Sequence, residues 1–183
     1  MSYLCGRVAG VHETEAELAA LDALLDRSLA GATSHLRSII RPGERTLTAR
    51  QLVDVLSGMC VLAVSTVTAN GEPRISAVDG HFLHGCWIFG TDRSAAKARH
   101  LQARPAVSAA HLRGETLGVF THGSAEVLNP TAGPADPQWD SILDHLTDHY
   151  GESPLNWGDV VMYRLRPQWM AVYAPRSGEP PTG

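Results

Sequence analysis

Lysine is almost absent from this chain of 183 residues: of its fifteen basic side chains, Lys97 alone is a lysine. Nineteen acidic residues leave a formal net charge of -4 at pH 7. This balance excludes a strongly basic nucleic-acid-binding protein and a polybasic membrane-surface protein. No run of eighteen apolar residues occurs in the sequence, so we expect no transmembrane helix and no membrane partner.

Cysteine is also scarce, with Cys5, Cys60 and Cys86 forming an odd set without paired spacing. This argues against a disulfide framework and against a cysteine-ligated zinc site. The N-terminal residues lack a basic start followed by an apolar stretch, so a secretory signal is not expected. These absences together predict a protein of the reducing cytoplasm.

The chain has enough apolar residues for a core, because 44% of them are hydrophobic. A globule of this length buries roughly 70% of the surface that its unfolded chain exposes. We expect one main domain over residues 46–175, preceded by a helical extension over residues 1–45. The last residues, 176–183, are expected to form a flexible tail.

Helical spacing recurs in four segments. Thr14 and Glu17 form a capping box, and leucines then recur at spacings of three and four as far as a stop near Gly31. Three further helices are predicted: from Thr46 or Thr48 to Gly58, over residues 94–103, and from Pro137 or Gln138 to Tyr150.

Short runs rich in valine and threonine indicate strands. Asn70 and Gly71 tolerate the positive φ of a tight hairpin turn. Five or six strands joined mostly by hairpins predict a small antiparallel barrel, and the helices around them make the fold α+β. The predicted strands are residues 59–68, 73–82, 86–90, 107–112, 117–128, 159–165 and 169–173, with Arg166 and Pro167 separating the last two.

The most informative segment lies over residues 90–99, where a strand ends and a helix begins. The free N–H groups and the dipole of a helix N-terminus favour an anion. Thr91 and Ser94 offer hydroxyl donors there, while Lys97 and Arg99 add positive charge. This combination suits a phosphate monoester; the alternative is that Ser94 only caps the helix and Lys97 is solvated.

Four segments together carry a resemblance to a known family. They are VLAVSTVTANGEPRISAV, WIFGT, SAAKARHLQARPAVSAAHLRGE and VFTHGSAEVL, in this order. Their order and spacing resemble the pyridoxamine 5'-phosphate oxidase-like flavin-binding split-barrel proteins, over about residues 47–173. No nucleophile elbow, Walker A loop or HExxH motif competes with this interpretation.

The resemblance implies a mainly antiparallel six-stranded split β-barrel with peripheral helices, and a homodimer with a flavin in each of two interface clefts. It also implies an oxidoreductase in which the flavin transfers hydride through N5, to or from a small molecule that the sequence does not identify. No catalytic acid or base is assigned. The cofactor-binding residues implied by the resemblance are Arg74, Ile75, Ser76, Ala77, Val78, Phe89, Gly90, Thr91, Ser94, Lys97, Arg99 and the partner-directed Trp169.

Three departures from the family pattern leave the cofactor open. Ala95 occupies a position where many members have serine, His100 replaces an asparagine of the deazaflavin-using branch, and Ala77 stands where many members have proline. FMN is the first choice. Coenzyme F420 is the alternative, with Arg74 and Arg93 available for its acidic tail, and haem binding without turnover is the third.

Nine histidines invite a metal interpretation, but hydrogen-bonded or surface imidazoles are favoured and no metal site is predicted. His81 and His84 are expected on opposite faces of an extended segment. A histidine directed into the cleft would favour the haem alternative. Two further histidine pairs are possible neighbours, His111 with His122 across a hairpin and His145 with His149 on one helix face. Three aromatic side chains could line a flavin pocket, namely Trp87, Phe89 and Trp157.

Overall fold

The computed structural model describes residues 12–174. The predicted tail over residues 176–183 and Cys5 lie outside the described residues. Six antiparallel strands close into a barrel in the order β1-β2-β3-β6-β5-β4. The α+β prediction and the six-stranded barrel are therefore confirmed.

The helices and strands have the following bounds. The helices are α1 (Glu15–Ala30), α2 (Ser34–Ile39), α3 (Ala49–Val55), α4 (Ala96–Ala103) and α5 (Trp139–Tyr150), followed by a 3-10 turn (Pro154–Trp157). The strands are β1 (Met59–Val67), β2 (Pro73–Leu83), β3 (Cys86–Asp92), β4 (Ala106–Arg113), β5 (Leu117–Val127) and β6 (Val160–Tyr173).

Helix α1 begins with the predicted capping box, in which Thr14 and Glu17 satisfy each other's backbone N–H groups. Its buried leucines, Leu18, Leu21 and Leu24, belong to the same hydrophobic cluster as the barrel interior. The sequence did not predict α2 or the 3-10 turn, because helices of four to six residues are too short to show a periodic apolar stripe.

The last strand corrects one prediction. Arg166 and Pro167 do not separate two strands; β6 runs without interruption through fourteen residues. A register shift at His122 and Gly123 of β5 accommodates the proline, which cannot donate to a regular ladder and is tolerated at such irregularities. A Cβ on Gly123 would overlap the carbonyl of Arg166, so the close approach of the two strands requires glycine.

Helix α5 covers part of the barrel's outer face. Trp139, Ile142 and Leu146 are buried and pack on Ile88 and Met162 of the sheet. This second hydrophobic cluster lies outside the barrel and is separate from the cluster inside it. Between residues 12 and 174 there is no helix with the length and hydropathy of a membrane span.

Candidate functional site

Strands β2 and β3 separate at one point, and a cavity lies there. They pair only from Gly80 with Phe89 to Leu83 with Cys86. Beyond this point β3 continues against β6, while residues 73–79 of β2 pair, among the described residues, with β1 alone. The backbone edge of residues 73–79 that faces away from β1 is therefore open.

The cavity has a volume of about 270 Å³. This is just below the range of about 300–1,000 Å³ that is usual for small-molecule sites. Gly90 forms part of its wall, where a Cβ would meet the Met162 sulfur at 2.5 Å. The lining residues are Asp79, His81, Ile88, Phe89, Gly90, Thr91, Asp92, Leu146, Tyr150, Pro154, Trp157, Val160 and Met162.

Two of the predicted phosphate-binding residues lie together beside this cavity. The Lys97 ammonium is 3.4 Å from the Thr91 hydroxyl oxygen, because Lys97 is in the first turn of α4 and Thr91 is near the end of β3. Both side chains are half-buried. A point charge and a hydroxyl at a helix N-terminus suit a phosphate oxygen.

Ser94 is neither free to bind a phosphate nor the N-cap of α4, the two roles that the sequence suggests. Its hydroxyl and backbone N–H both donate to the Asp92 carboxylate, at 2.5 and 2.7 Å. These bonds lower the pKa of Asp92. Ser94 does not cap α4, because the N-cap residue is Ala95, which forms no side-chain cap. Arg99 donates to the backbone carbonyl of Ser94. A phosphate that used Ser94 would therefore have to displace Asp92.

The two arginines considered for an acidic cofactor tail are already paired. Arg74 donates to Glu72 at 2.7 Å on the surface. Arg93 donates to Asp159 at 3.0 Å and also to the carbonyls of Asn129 and Val160. Arg93 therefore connects the loop before α4 to β6.

The remaining predicted residues of β2 lie along the open edge. Ile75 and Ala77 are exposed on the outer face, with Ile75 at 75% of its full exposure, while Ser76 and Val78 are half-buried. Phe89, on β3, is not exposed; its ring is stacked on Tyr163 inside the barrel, at 5.5 Å between centroids. Trp87 is likewise buried in the barrel interior. Of the three aromatic side chains suggested for a flavin pocket, only Trp157 is exposed.

Trp169 does not line the cavity within one chain. Its register partner is His122, on which its ring is stacked at 4.7 Å. The register continues through Ser108 and Ser65 to Ile75, so Trp169 and Ile75 belong to one row of the barrel. Trp169 lies beyond the part of β6 that pairs with β3.

A hydrogen-bonded network that the sequence did not predict forms one wall of the cavity. His81 is buried, and its Nε2 lies 3.0 Å from the Tyr150 hydroxyl while its Nδ1 lies 3.2 Å from Nε2 of His145. The carboxylate of Asp79 lies close enough to Tyr150 to raise the pKa of its hydroxyl. The sequence predicts two histidines on one face of α5, but the β2 histidine that contacts His145 is 64 residues away from it in sequence.

Burial controls the protonation of this network. It lowers the pKa of His81 to about 3 and that of His145 to about 4, and neighbouring imidazoles act in the same direction. Burial and the nearby Asp79 raise the pKa of Tyr150 to about 12. At neutral pH both imidazoles are therefore neutral and Tyr150 is protonated.

The other histidines do not join this network into a metal site. His84 lies in the turn after β2 and contacts Glu17 at 3.1 Å. The suggested approach of His111 and His122 is wrong, because His111 pairs with Val119 and is buried while His122 is exposed. Within residues 12–174 no group of three or more histidine, cysteine or carboxylate side chains is placed to hold a metal ion.

A second cavity, of about 370 Å³, lies between α1 and β6. Arginines border it, but Arg164 is paired with Asp136 at 2.7 Å and Arg166 with Glu126 at 2.6 Å. Arg27 also borders this cavity, so carboxylates compensate two of its three arginines.

Comparisons with known proteins define the class of fold. No protein-family model matches the chain, and no curated protein matches it in sequence. Its structural neighbours with TM-scores of 0.50 or above include a heme storage protein of Vibrio cholerae and a heme binding protein of Mycobacterium smegmatis, both of the split-barrel fold. The chain therefore has the split-barrel fold, as the resemblance of its sequence implied.

Three neighbours show how distant these similarities are. A conserved hypothetical protein of Mycobacterium tuberculosis is 16% identical, with 76% of this chain and 96% of that one covered and a TM-score of 0.53. General Stress Protein 26 of Bacillus anthracis is 16% identical, covers 71% and 97%, and has a TM-score of 0.53. The heme storage protein HutZ of Vibrio cholerae is 20% identical, covers 62% and 84%, and has a TM-score of 0.51. Identities this low define the fold and not the ligand.

Proposed function

We propose that this protein is a homodimeric, cytoplasmic FMN-binding oxidoreductase that acts on a small molecule. The observation that carries the proposal is the open backbone edge of β2 beside the contact of Thr91 with Lys97. A flavin mononucleotide needs hydrogen-bonding groups along its ring edge and a cationic cradle for one phosphate, and the two features supply both within one region.

The binding roles follow from these positions. Thr91 and Lys97 hold the phosphate, with Arg99 and Ser94 contributing after local rearrangement around Asp92. Backbone groups of residues 74–78, together with the ends of β3 at Phe89 and Gly90, hold the ring. The flavin supplies hydride transfer at N5, and the protein supplies binding, orientation and exclusion of water.

An exposed apolar surface supports the homodimer. Ala77, Ala63, Ala110 and Phe120 form one row across four strands on the barrel's outer face. Exposed apolar residues also occupy neighbouring rows of that face, at 41–75% of full exposure, namely Met59, Val61, Leu112 and Ile75. Polar residues border them, with Asp79 opposite Val61 and Ser65 opposite Ile75. An exposed apolar surface with a polar border is typical of an interaction surface, and a second copy there would allow Trp169 to reach the partner's cofactor.

The two alternative cofactors receive less support. An F420 tail would need additional cations, but Arg74 and Arg93 are paired with carboxylates. Haem needs a histidine with a free lone pair, but the histidine beside the cavity, His81, has both ring nitrogens in hydrogen bonds and is 2% exposed.

Absorbance titrations of the purified protein with FMN, coenzyme F420 and haemin test the proposal. We expect FMN to bind at micromolar concentration and Lys97→Ala to weaken binding about 10- to 100-fold, as loss of a charged hydrogen bond implies. Arg50→Ala removes an exposed cation on α3 that pairs with Glu15 and serves as the control. Failure of FMN to bind, or equal affinities for both variants, would overturn the proposal.

A further inference from the structure

The cavity between β3 and α5 has a chemical character of its own. Among its described lining residues there is no lysine or arginine. The Asp79 and Asp92 carboxylates border it, and Ile88, Leu146 and Met162 form an apolar floor. Lys97 lies next to Thr91 on one side of the cavity, but an anionic ligand beside Asp79 would meet negative charge, whereas a cation would not.

Hydrogen bonds hold one wall of the cavity in place. His81 and His145 are neutral at neutral pH, so each ring has one donor and one acceptor nitrogen. His81 uses both nitrogens, one towards the Tyr150 hydroxyl at 3.0 Å and one towards His145 at 3.2 Å. The Asp79 carboxylate lies close enough to Tyr150 to raise the pKa of its hydroxyl.

These contacts have two consequences. The bond to His81 holds Tyr150 at the cavity wall, next to the Asp79 carboxylate. Because His81 is buried and neutral, it adds no positive charge that would compete with a bound cation. The wall therefore presents a carboxylate acceptor beside a fixed aromatic ring.

Two aromatic rings stand beside this acceptor. Tyr150 and Trp157 meet edge to face at 4.9 Å between centroids, and both border the cavity. The indole N–H of Trp157 donates to Glu152 at 3.0 Å, which orients its ring. Aromatic faces attract cations, most strongly when water is excluded.

We propose that this cavity binds a small apolar molecule that carries a protonated amine and no anionic group, with the ammonium on Asp79 and the apolar part between Tyr150, Trp157 and Met162. The substrate class of the oxidoreductase proposed above would then be a monocationic amine, and in this respect the inference rests on that function. The cavity itself is formed by this chain alone, so binding can be measured without a flavin.

Calorimetric titration of the flavin-free protein with four related compounds tests the inference. We expect 2-phenylethylamine to bind at least tenfold more tightly than 2-phenylethanol, which lacks the charge. Phenylalanine, whose carboxylate would face Asp79 without a compensating cation, and 3-phenylpropionate are expected to bind more weakly than the amine. Equal affinity of the amine and the alcohol, or no binding of the amine at millimolar concentration, overturns the inference.

Variants assign the effect to the cavity. Asp79→Asn keeps the size of an exposed side chain, and we expect it to weaken amine binding at least tenfold. Tyr150→Phe keeps the ring, removes the polar hydroxyl near Asp79, and should cause a smaller loss. Asp159→Asn changes an exposed carboxylate that pairs with Arg93 and should have no effect; an equal effect of Asp79→Asn and Asp159→Asn contradicts the inference.

A parallel FMN titration separates the two proposals. Binding of FMN without binding of the amine overturns the cavity assignment and leaves the proposed function intact. Binding of the amine without FMN supports the cavity assignment and overturns the flavin function.

Discussion

Strand β2 consists of two halves that differ in their surroundings. Residues 73–79 are largely exposed and pair with β1 on one edge. Residues 80–83, the covered half, are buried and pair with β3, and the first two of them also pair with β1. Leu83 of this half packs in the cluster that α5 forms with the sheet. Ile75 and Ala77 of the uncovered half are apolar but exposed, so the cover provided by α5, and not the apolar character of the strand alone, decides which half is buried.

The covered half is held by polar contacts as well as by packing. His81 bonds to two residues of α5, and on the neighbouring β6 the guanidinium of Arg164 bonds to Asp136 and Gln138, which precede α5. The uncovered half has one surface ion pair, between Arg74 and Glu72, and an apolar face for which we propose a second copy of the chain. Variants in each half test this difference.

The largest effect on stability is expected from Asp136→Ala, beside the covered half. Asp136 accepts two bonds, at 2.7 and 3.0 Å, from Arg164, which is 4% exposed. Removing one partner of a buried ion pair costs about 3–5 kcal/mol. The Glu126 carboxylate, 4.0 Å from Arg164, still compensates part of the charge, so we expect a loss of about 3 kcal/mol. Denaturant unfolding measures the loss in the free energy of unfolding.

Asp159→Ala is the matched control for that measurement. Its carboxylate also pairs with an arginine, Arg93, but the Asp159 side chain is 74% exposed, so the expected loss is below about 1 kcal/mol. Similar losses for the two variants would show that burial of the ion pair is not what stabilises the covered half.

Ile75→Asp is expected to act on assembly and not on the fold of one chain. Ile75 is 75% exposed in the single chain, and burying an isoleucine in an interface contributes about 1.5–3 kcal/mol. Light scattering should show a dimer for the unmodified protein and a shift towards monomer for the variant. Leu155→Asp, at a 42% exposed leucine of the 3-10 turn, should remain dimeric; a monomeric mass for the unmodified protein would contradict the proposed interface.

The local parts of this structure could be predicted from sequence, and the non-local parts could not. The capping box at Thr14 and the hairpin at Asn70 and Gly71 depend on neighbouring residues, and the structure has both. The adjacency of Thr91 and Lys97 followed from one strand, loop and helix. By contrast, the single strand β6 depends on a register shift in β5 opposite Pro167, which no local pattern reveals.

Two features of the site show the same difference between local and non-local contacts. The bond from Ser94 to Asp92 is local, and an aspartate two residues before a serine is a known turn signature, so it could have been found. The contact of His81 with Tyr150 joins residues 69 apart in sequence. It depends on how α5 is placed on the barrel, which the helical periodicity of α5 alone does not specify.

Acid should destabilise the covered half first. The pKa values of His81 and His145 in the folded state are about 3 and about 4, below the ordinary value of 6.5. The stability that these neutral imidazoles contribute is therefore complete above pH 6.5. It is lost as the pH falls towards 4 for His145 and towards 3 for His81, because the unfolded chain binds protons first. The expected slope is at most about 1.4 kcal/mol per pH unit for each histidine.

His81→Phe should reduce this slope between pH 6.5 and 4.5, whatever it does to stability at neutral pH. The charged and titratable groups around His81 are His145, His149 and, through Tyr150, Asp79. His35→Phe, at an exposed histidine of α2, should leave the slope unchanged. Unfolding curves at several pH values supply the measurement, and an unchanged slope in His81→Phe would assign the acid sensitivity to other groups.

The smallest effect on stability is expected from Arg74→Ala, in the uncovered half. Its side chain is 56% exposed and its only acidic partner among the described residues, Glu72, is 54% exposed, so water screens the pair and its loss costs less than about 0.5 kcal/mol. Because Arg74 is also a proposed cofactor-binding residue, FMN affinity and unfolding should be measured on the same variant. Weaker FMN binding with an unchanged free energy of unfolding is expected if residues 73–79 bind the cofactor and contribute little to the stability of the single chain. A loss above about 1 kcal/mol in the monomeric chain would instead mean that contacts within the chain already support this half, because exposed ion pairs do not reach that size.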